Sequence, residues 1–185
     1  LFPSGPLVMG AHDKLPIRNV KEYLELARTG RATMGTYSPA SWPHMVADTW
    51  NRNLGLKIDV VHYKGEVAMW VDIATGQVTG GIGSPQAMQT HVSRGTVRPI
   101  AVIGPRRSPK LPQVPTFVEQ GFKEISWTGG WYAFMAPAGL PPEIADRLTR
   151  EIKAIYDDPK VNRKMVDMEI ILKGTIDLHA SDFVF

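Results

Sequence analysis

Residues 58–83 read IDVVHYKGEVAMWVDIATGQVTGGIG, which predicts a strand, a helix and a second strand in close succession. The apolar run at 58–61 is typical of a buried strand. We expect the helix at 66–75, after the turn Tyr63-Lys64-Gly65, and the second strand at 78–82, where glycines follow Gly76-Gln77-Val78. Strands that alternate with helices in this way indicate an α/β domain with a largely parallel sheet.

The alternation extends along the rest of the chain. Asn19, with Glu22 three residues later, is a helix N-cap pattern, and Pro43 suits the first turn of another helix, after Ser41 or Trp42 as its cap. Four prolines between 105 and 115 predict an extended segment, because proline lacks the N–H that a helix needs. We further expect strands at 32–35, 98–103, 131–136 and 170–172, and helices at 20–28, around 43–54, at 85–92, 116–120 and 142–156, after Asp158-Pro159 and near 181–183.

Composition places the chain among globular proteins and excludes several kinds of site. It has 185 residues, 43% hydrophobic and 21% charged, and no cysteine, which excludes disulfides, thiolate nucleophiles and cysteine-ligated metals. A pI near 9.2 with one small basic cluster, Arg106, Arg107 and Lys110, does not indicate nucleic-acid binding. No apolar run reaches the roughly 18 to 20 residues of a membrane span. The chain starts with neither Met nor a signal peptide, so we expect it to be part of a longer protein.

Three predicted loops join the end of a strand to the start of a helix, where free N–H groups favour carboxylate or phosphate. They lie at 36–41, 63–65 and 80–84. Each of these residues could also have a purely structural role. Ser38 and Ser41 could form a turn or cap a helix, and Lys64 could be a solvated surface residue. The glycines at 80, 81 and 83 could allow close packing in a strand. The candidate ligand-binding residues are Ser38, Ala40, Ser41, Lys64, Gly65, Gly83 and Ser84.

Known cofactor, metal and catalytic motifs are missing from the sequence. Gln86 stands where a dinucleotide-binding motif needs its third glycine, and there is no P-loop. The five histidines show no i,i+4 pair, and Gly-x-Ser-x-Gly does not occur. We therefore expect no cofactor, no metal and no enzymatic activity.

The order of the motifs resembles one family, the extracytoplasmic solute-binding proteins of tripartite tricarboxylate transporters, also called the Bug family. The resemblance covers nearly the whole chain. It rests on Tyr37-Ser38-Pro39 with His44 after it, Tyr63-Lys64-Gly65, Gly76-Gln77-Val78, Arg107-Ser108-Pro109 through Val114-Pro115-Thr116, Glu119-Gln120-Gly121 and residues 134–139.

The resemblance implies an α/β fold of the type II periplasmic-binding-protein kind, a Venus flytrap of two lobes. Residues 1–124 would form the second ligand-binding lobe, and 125–185 would be the segment that returns to complete the first. The protein would be periplasmic and would capture a small carboxylate, an amino acid or a related solute between its lobes. It would present that solute to the membrane subunits of the transporter.

Two positions depart from the family pattern. Glu66 stands where a second glycine usually follows Lys-Gly, and Gly83 stands where an aspartate commonly ends the strand after Gly-Gln-Val. A carboxylate at position 66 suits the start of a helix but would repel an anionic ligand close by.

Two other functions remain open at this point. A ligand-sensing domain of a transcriptional regulator would share the two-lobed architecture, and an α/β hydrolase or transferase would use Ser38 or Ser41 as its nucleophile. We also expect self-association through residues 125–185, since the returning segment would lack its family partners.

Overall fold

The computed structural model describes residues 2–3, 5–125, 131–132 and 134–161, without the side chains of residues 2, 3, 131 and 132. The chain divides into two compact units. The larger unit is Pro6–Thr128, and the smaller combines Leu1–Gly5 with Gly129–Phe185. The residues before Pro6 thus group with the C-terminal segment, whereas the sequence predicted that they belong to the same lobe as the residues up to 124. The assignment of the two units to two lobes stays a prediction.

Strands and helices alternate along the larger unit. In chain order the elements of both units are β1 (Phe2–Pro3), β2 (Leu7–His12), α1 (Val20–Arg28), β3 (Thr33–Thr36), α2 (Trp42–Leu54), β4 (Asp59–His62), α3 (Glu66–Thr75), β5 (Gly80–Gly83), α4 (Pro85–Ser93), β6 (Val97–Ile103), a 3-10 turn (Lys123–Ile125), β7 (Trp131–Tyr132) and α5 (Pro142–Asp157). In the smaller unit, β1 pairs antiparallel with β7. None of the helices in these described residues combines the length and apolar character that a membrane crossing needs.

The five strands of the larger unit form one sheet in the order β4-β3-β5-β2-β6. β3 pairs in parallel with both β4 and β5, whereas β2 pairs antiparallel with both β5 and β6. The α/β class is confirmed, but the sheet is mixed because β2 runs opposite to the other four strands. We call the edge at which β3, β4, β5 and β6 end the carboxyl edge.

Two apolar clusters cover the two faces of this sheet. Along β2, Met9 belongs to the cluster under α1 and α2, while the preceding Val8 belongs to the cluster under α3 and α4. Successive residues of a strand point to opposite faces, so β2 contributes to both clusters. The result is a layer of helices on each side of a central sheet.

Several local expectations are confirmed. α1 begins after Asn19, whose Oδ1 accepts the Glu22 N–H at 2.9 Å. α3 spans the expected residues and ends at Gly76 in the left-handed conformation. α4 starts at Pro85, where a missing N–H is harmless.

The expected helix at 116–120 is wrong. The Val102 N–H donates to the Pro115 carbonyl at 2.9 Å, and the Phe117 N–H donates to the Val102 carbonyl at 3.0 Å. These bonds hold the backbone around Thr116 extended beside β6, so it forms a parallel bridge to Val102 and then a turn. The Glu119 carboxylate secures that turn by accepting the Thr116 N–H at 2.7 Å and pairing with Arg107.

Expected burial is also wrong at two places, β4 and the strand expected at 131–136. β4 is an edge strand with exposed ends, not a buried one. The strand expected at 131–136 is two residues long among those described, and Phe134 and Met135 are 75% and 85% exposed. On α5, Ile144, Leu148 and Ile155 are about half exposed. The strand expected at 170–172 and the helix near 181–183 lie outside the described residues.

Candidate functional site

All three candidate loops meet at the carboxyl edge. β3 lies between β4 and β5 and is parallel to both, so the loops that follow these strands emerge side by side. In open α/β sheets, this edge is where ligands bind. Ser38, Ala40 and Ser41 follow β3, Lys64 and Gly65 follow β4, and Gly83 and Ser84 stand where β5 ends.

The loop after β3 is a tight turn that ends in α2. Ser41 stands at the N-cap position of α2, as expected, but its side chain makes no cap hydrogen bond. Its hydroxyl instead donates to the Ser38 carbonyl at 2.6 Å and closes the turn. Among the described residues, Ala40 alone has a positive φ, 57°, without being a glycine. Its N–H donates to Nδ1 of His44 at 3.0 Å, which places the neutral ring's proton on Nε2. The Ser38 hydroxyl has no hydrogen bond within the described residues, so it can bind a ligand.

The loop after β4 is fastened to the loop after β3. The Tyr63 N–H donates to the Thr36 carbonyl at 2.8 Å, and the Gly65 N–H donates to the Tyr37 carbonyl at 3.1 Å. Gly65 has φ 108° and ψ 168°, a conformation essentially restricted to glycine. Lys64 between them is exposed and makes no ion pair within the described residues. As far as the chain is described, Lys64 therefore places an unpaired cation on a well-anchored turn.

Sequence reasoning missed a cluster formed by Thr36, His44 and His62. The register pairs Thr36 with His62 at the ends of β3 and β4, and Thr36 Oγ1 lies 2.7 Å from His62 Nδ1. The His44 ring meets the His62 ring edge to face at a centroid distance of 4.9 Å. The sequence offered one signal for this cluster, since the predicted strands are followed by the polar residues Thr36 and His62. The described residues hold no group of three or more metal-ligating side chains.

The loop after β5 is occupied by a side chain from α3. Glu66 Oε2 accepts the Ser84 N–H at 2.8 Å and the Ser84 hydroxyl at 2.7 Å. A Cβ built on Gly83 would lie 2.9 Å from the same oxygen, so only glycine leaves room for the carboxylate. The Ser84 hydroxyl also accepts the Ala87 N–H at 3.4 Å and caps α4. The donors of Ser84 are therefore used within the protein.

We expect alkaline pH to weaken the fold through Tyr63. Burial, followed by its 2.7 Å hydrogen bond to Asp72, raises the pKa of Tyr63 from 10.0 to about 12. Between these values the unfolded state loses a proton that the folded state keeps, so the free energy of unfolding falls as pH rises. Urea unfolding at pH 9, 10.5 and 11.5 should show this decline, with a shallower slope in Tyr63→Phe. An equal slope in the two proteins would contradict this assignment.

The family described as "Tripartite tricarboxylate transporter family receptor" matches residues 2–175. The chain belongs to this receptor family. Protein BugT of Bordetella pertussis is 30% identical over 149 residues, which are 80% of this chain and 45% of BugT. This chain thus spans about half the length of that curated relative.

Two solved structures have the same fold as this receptor. One is described as "R. palustris Rpa4515 with adipate", with 26% identity, a TM-score of 0.80, and coverage of 91% of this chain and 56% of that one. The other is the periplasmic binding protein BugD, with 25% identity, a TM-score of 0.76, and coverage of 90% and 58%. The expected periplasmic-binding-protein type of fold is confirmed. Neither the regulator nor the hydrolase alternative gains support from these comparisons.

Proposed function

We propose that this receptor chain forms part of an extracytoplasmic solute-binding protein that captures a small carboxylate or related solute for a tripartite tricarboxylate transporter. The observation that carries the proposal is the grouping of the Ser38 hydroxyl and Lys64 on neighbouring loops at the carboxyl edge, both without a partner among the described residues. Membership in the receptor family and the adipate in a relative's description support it.

Different residues have different roles in this proposal. The Ser38 hydroxyl and the Lys64 ammonium contact the ligand's carboxylate, since no other described residue engages either group. Ser41 and Gly65 hold the two loops in place, through the Ser38 and Tyr37 carbonyls respectively. Ala40 also supports the turn, because its N–H is taken by His44. Gly83 and Ser84 act on the ligand indirectly. They hold the Glu66 carboxylate beside it and donate no hydrogen bond to the ligand themselves.

Location and partners follow from the same proposal. The protein works outside the cytoplasm, in the periplasm, and delivers its solute to the transporter's membrane subunits. No covalent chemistry is required. The Ser41 hydroxyl donates to the Ser38 carbonyl, and in the described residues neither the Ser38 nor the Ser41 hydroxyl is hydrogen-bonded to a histidine or carboxylate that could act as a base. Self-association of the isolated chain is a further part of the proposal, since α5 exposes Ile144, Leu148 and Ile155.

We expect adipate to stabilise the full-length protein in a thermal-shift titration. A ligand at about 100 times its dissociation constant adds roughly 2.7 kcal/mol to the free energy of unfolding. The panel also contains 6-aminohexanoate, adipic acid monoamide, glutamine and glucose, with the 185-residue chain tested in parallel.

The controls separate ligand contacts from general effects on the fold. Lys64→Gln and Ser38→Ala should weaken carboxylate binding about tenfold, the effect of roughly 1.4 kcal/mol. Lys21→Gln on α1 and Ser93→Ala on α4 remove the same groups elsewhere and should leave binding unchanged. Failure of every panel member to stabilise the full-length protein would overturn the proposal.

A further inference from the structure

The Glu66 carboxylate bridges the starts of two helices. It belongs to the first turn of α3, and its Oε2 reaches across to the N–H and hydroxyl of Ser84, the N-cap of α4. Negative charge is stabilised at both helix starts by their free N–H groups. The carboxylate thus occupies the donors that an incoming carboxylate would otherwise use at this end of the site.

No basic side chain of the described residues neutralises this carboxylate. Glu66 forms no ion pair within the described residues, and it is only half-buried. Lys64, two residues earlier, is exposed and likewise has no ion pair in the described part of the chain. The carboxyl edge therefore carries a fixed negative charge at the loop after β5, beside the loops that offer Ser38 and Lys64.

The local packing maintains this arrangement. A Cβ on Gly83 would approach Glu66 Oε2 to 2.9 Å and Trp70 Cζ2 to 3.1 Å, so the backbone of β5 leaves the space that the carboxylate fills. Trp70 is fully buried and cannot easily give way. Glu66 is consequently held at Ser84 by two hydrogen bonds and by the shape of its surroundings.

We propose that Glu66 is a specificity-determining residue that makes the site select a monocarboxylate with a hydrogen-bond donor at its other end. The ligand's carboxylate binds at Ser38 and Lys64, while an amide or ammonium group faces Glu66. A second carboxylate at that position meets like charge and finds the Ser84 donors already engaged. This inference rests on the proposed function, because it names the ligand class of the same site.

The test compares three ligands of nearly equal length by calorimetry on the full-length protein. They are adipate, adipic acid monoamide and 6-aminohexanoate, which differ in the charge and donors of one end. We expect the monoamide and the amine to bind at least about tenfold more tightly than adipate, which corresponds to roughly 1.4 kcal/mol. In Glu66→Gln the preference should shrink to within about threefold, mainly through tighter binding of adipate.

Two controls keep the comparison interpretable. Glu25→Gln removes a carboxylate from the exposed pair with Arg28 on α1 and should leave the preference unchanged. Measurement of the unmodified protein at 20 and 500 mM NaCl gives a second readout that needs no variant. Salt should reduce the preference, because it screens repulsion between partly exposed charges.

Each outcome decides between the two proposals. If adipate binds as tightly as the monoamide in the unmodified protein, Glu66 does not set specificity, although the proposed function stands. If the preference is present but survives both Glu66→Gln and high salt, its source is elsewhere and this inference is also wrong. If none of the three ligands binds, the proposed function fails and this inference fails with it.

Discussion

Trp50→Ala is expected to lower the free energy of unfolding by about 3 to 5 kcal/mol, the usual range for a buried tryptophan replaced by alanine. Trp50 lies on α2 and is 1% exposed. Its ring is 6.0 to 6.3 Å from those of Tyr23, Phe117 and Phe122, measured between centroids. One side chain therefore joins α1, α2 and the segment after β6, and its removal leaves a cavity among all three.

The matched control is Trp50→Phe. The indole N–H of Trp50 is buried without a hydrogen-bond partner among the described residues, so phenylalanine loses ring volume but also removes an unsatisfied donor. We expect this variant to lose less than half of what the alanine variant loses. Urea unfolding followed by circular dichroism measures both. A loss below about 1 kcal/mol for Trp50→Ala would mean that the site collapses around the smaller residue.

Gly65→Ala is expected to cost about 1 to 3 kcal/mol and to weaken ligand binding as well. The cost arises from the backbone, because φ 108° with ψ 168° lies outside the regions that alanine adopts. No atom of the described residues lies within 4 Å of a Cβ built at this position, so crowding is not the cause. Relief of the strain would rotate the peptide whose N–H donates to the Tyr37 carbonyl, and the loops carrying Ser38 and Lys64 would move apart.

Gly55→Ala provides the control for this prediction. Gly55 ends α2 with φ 63° and ψ 28°, and a Cβ there also meets nothing within 4 Å. The left-handed region costs alanine about 1 to 2 kcal/mol. We expect it to lower stability without changing affinity for whichever panel member the unmodified protein binds. If Gly65→Ala keeps the unmodified affinity, the two loops do not need each other to bind ligand.

Local signals predicted the elements whose ends are set by nearby residues. α1, α3 and α4 begin at the expected places, because Asn19, the turn before Glu66, and Pro85 act within a few residues of each helix start. β2 was not predicted as a strand, although it pairs with two neighbours inside the sheet. Its apolar run is short, and nothing in it indicates which strands it joins or in which direction.

The candidate site shows the same division. The sequence indicated the three loops, since small and hydroxyl residues follow each strand. It did not indicate that Glu66 fills the donors of Ser84, 18 positions away along the chain. That contact exists because β4 and β5 flank β3 in parallel, so that the helix starts after β4 and β5 open at the same edge.

The sequence by itself determined the α/β class, the receptor family, most helix limits and the loops that carry polar groups. These depend on glycine, proline and capping residues that act over a few positions. The tertiary structure alone decided the reversed direction of β2, the extended path around Thr116, and the engagement of Ser84 by Glu66. These depend on hydrogen bonds between distant segments, whose partners are set by strand order and register.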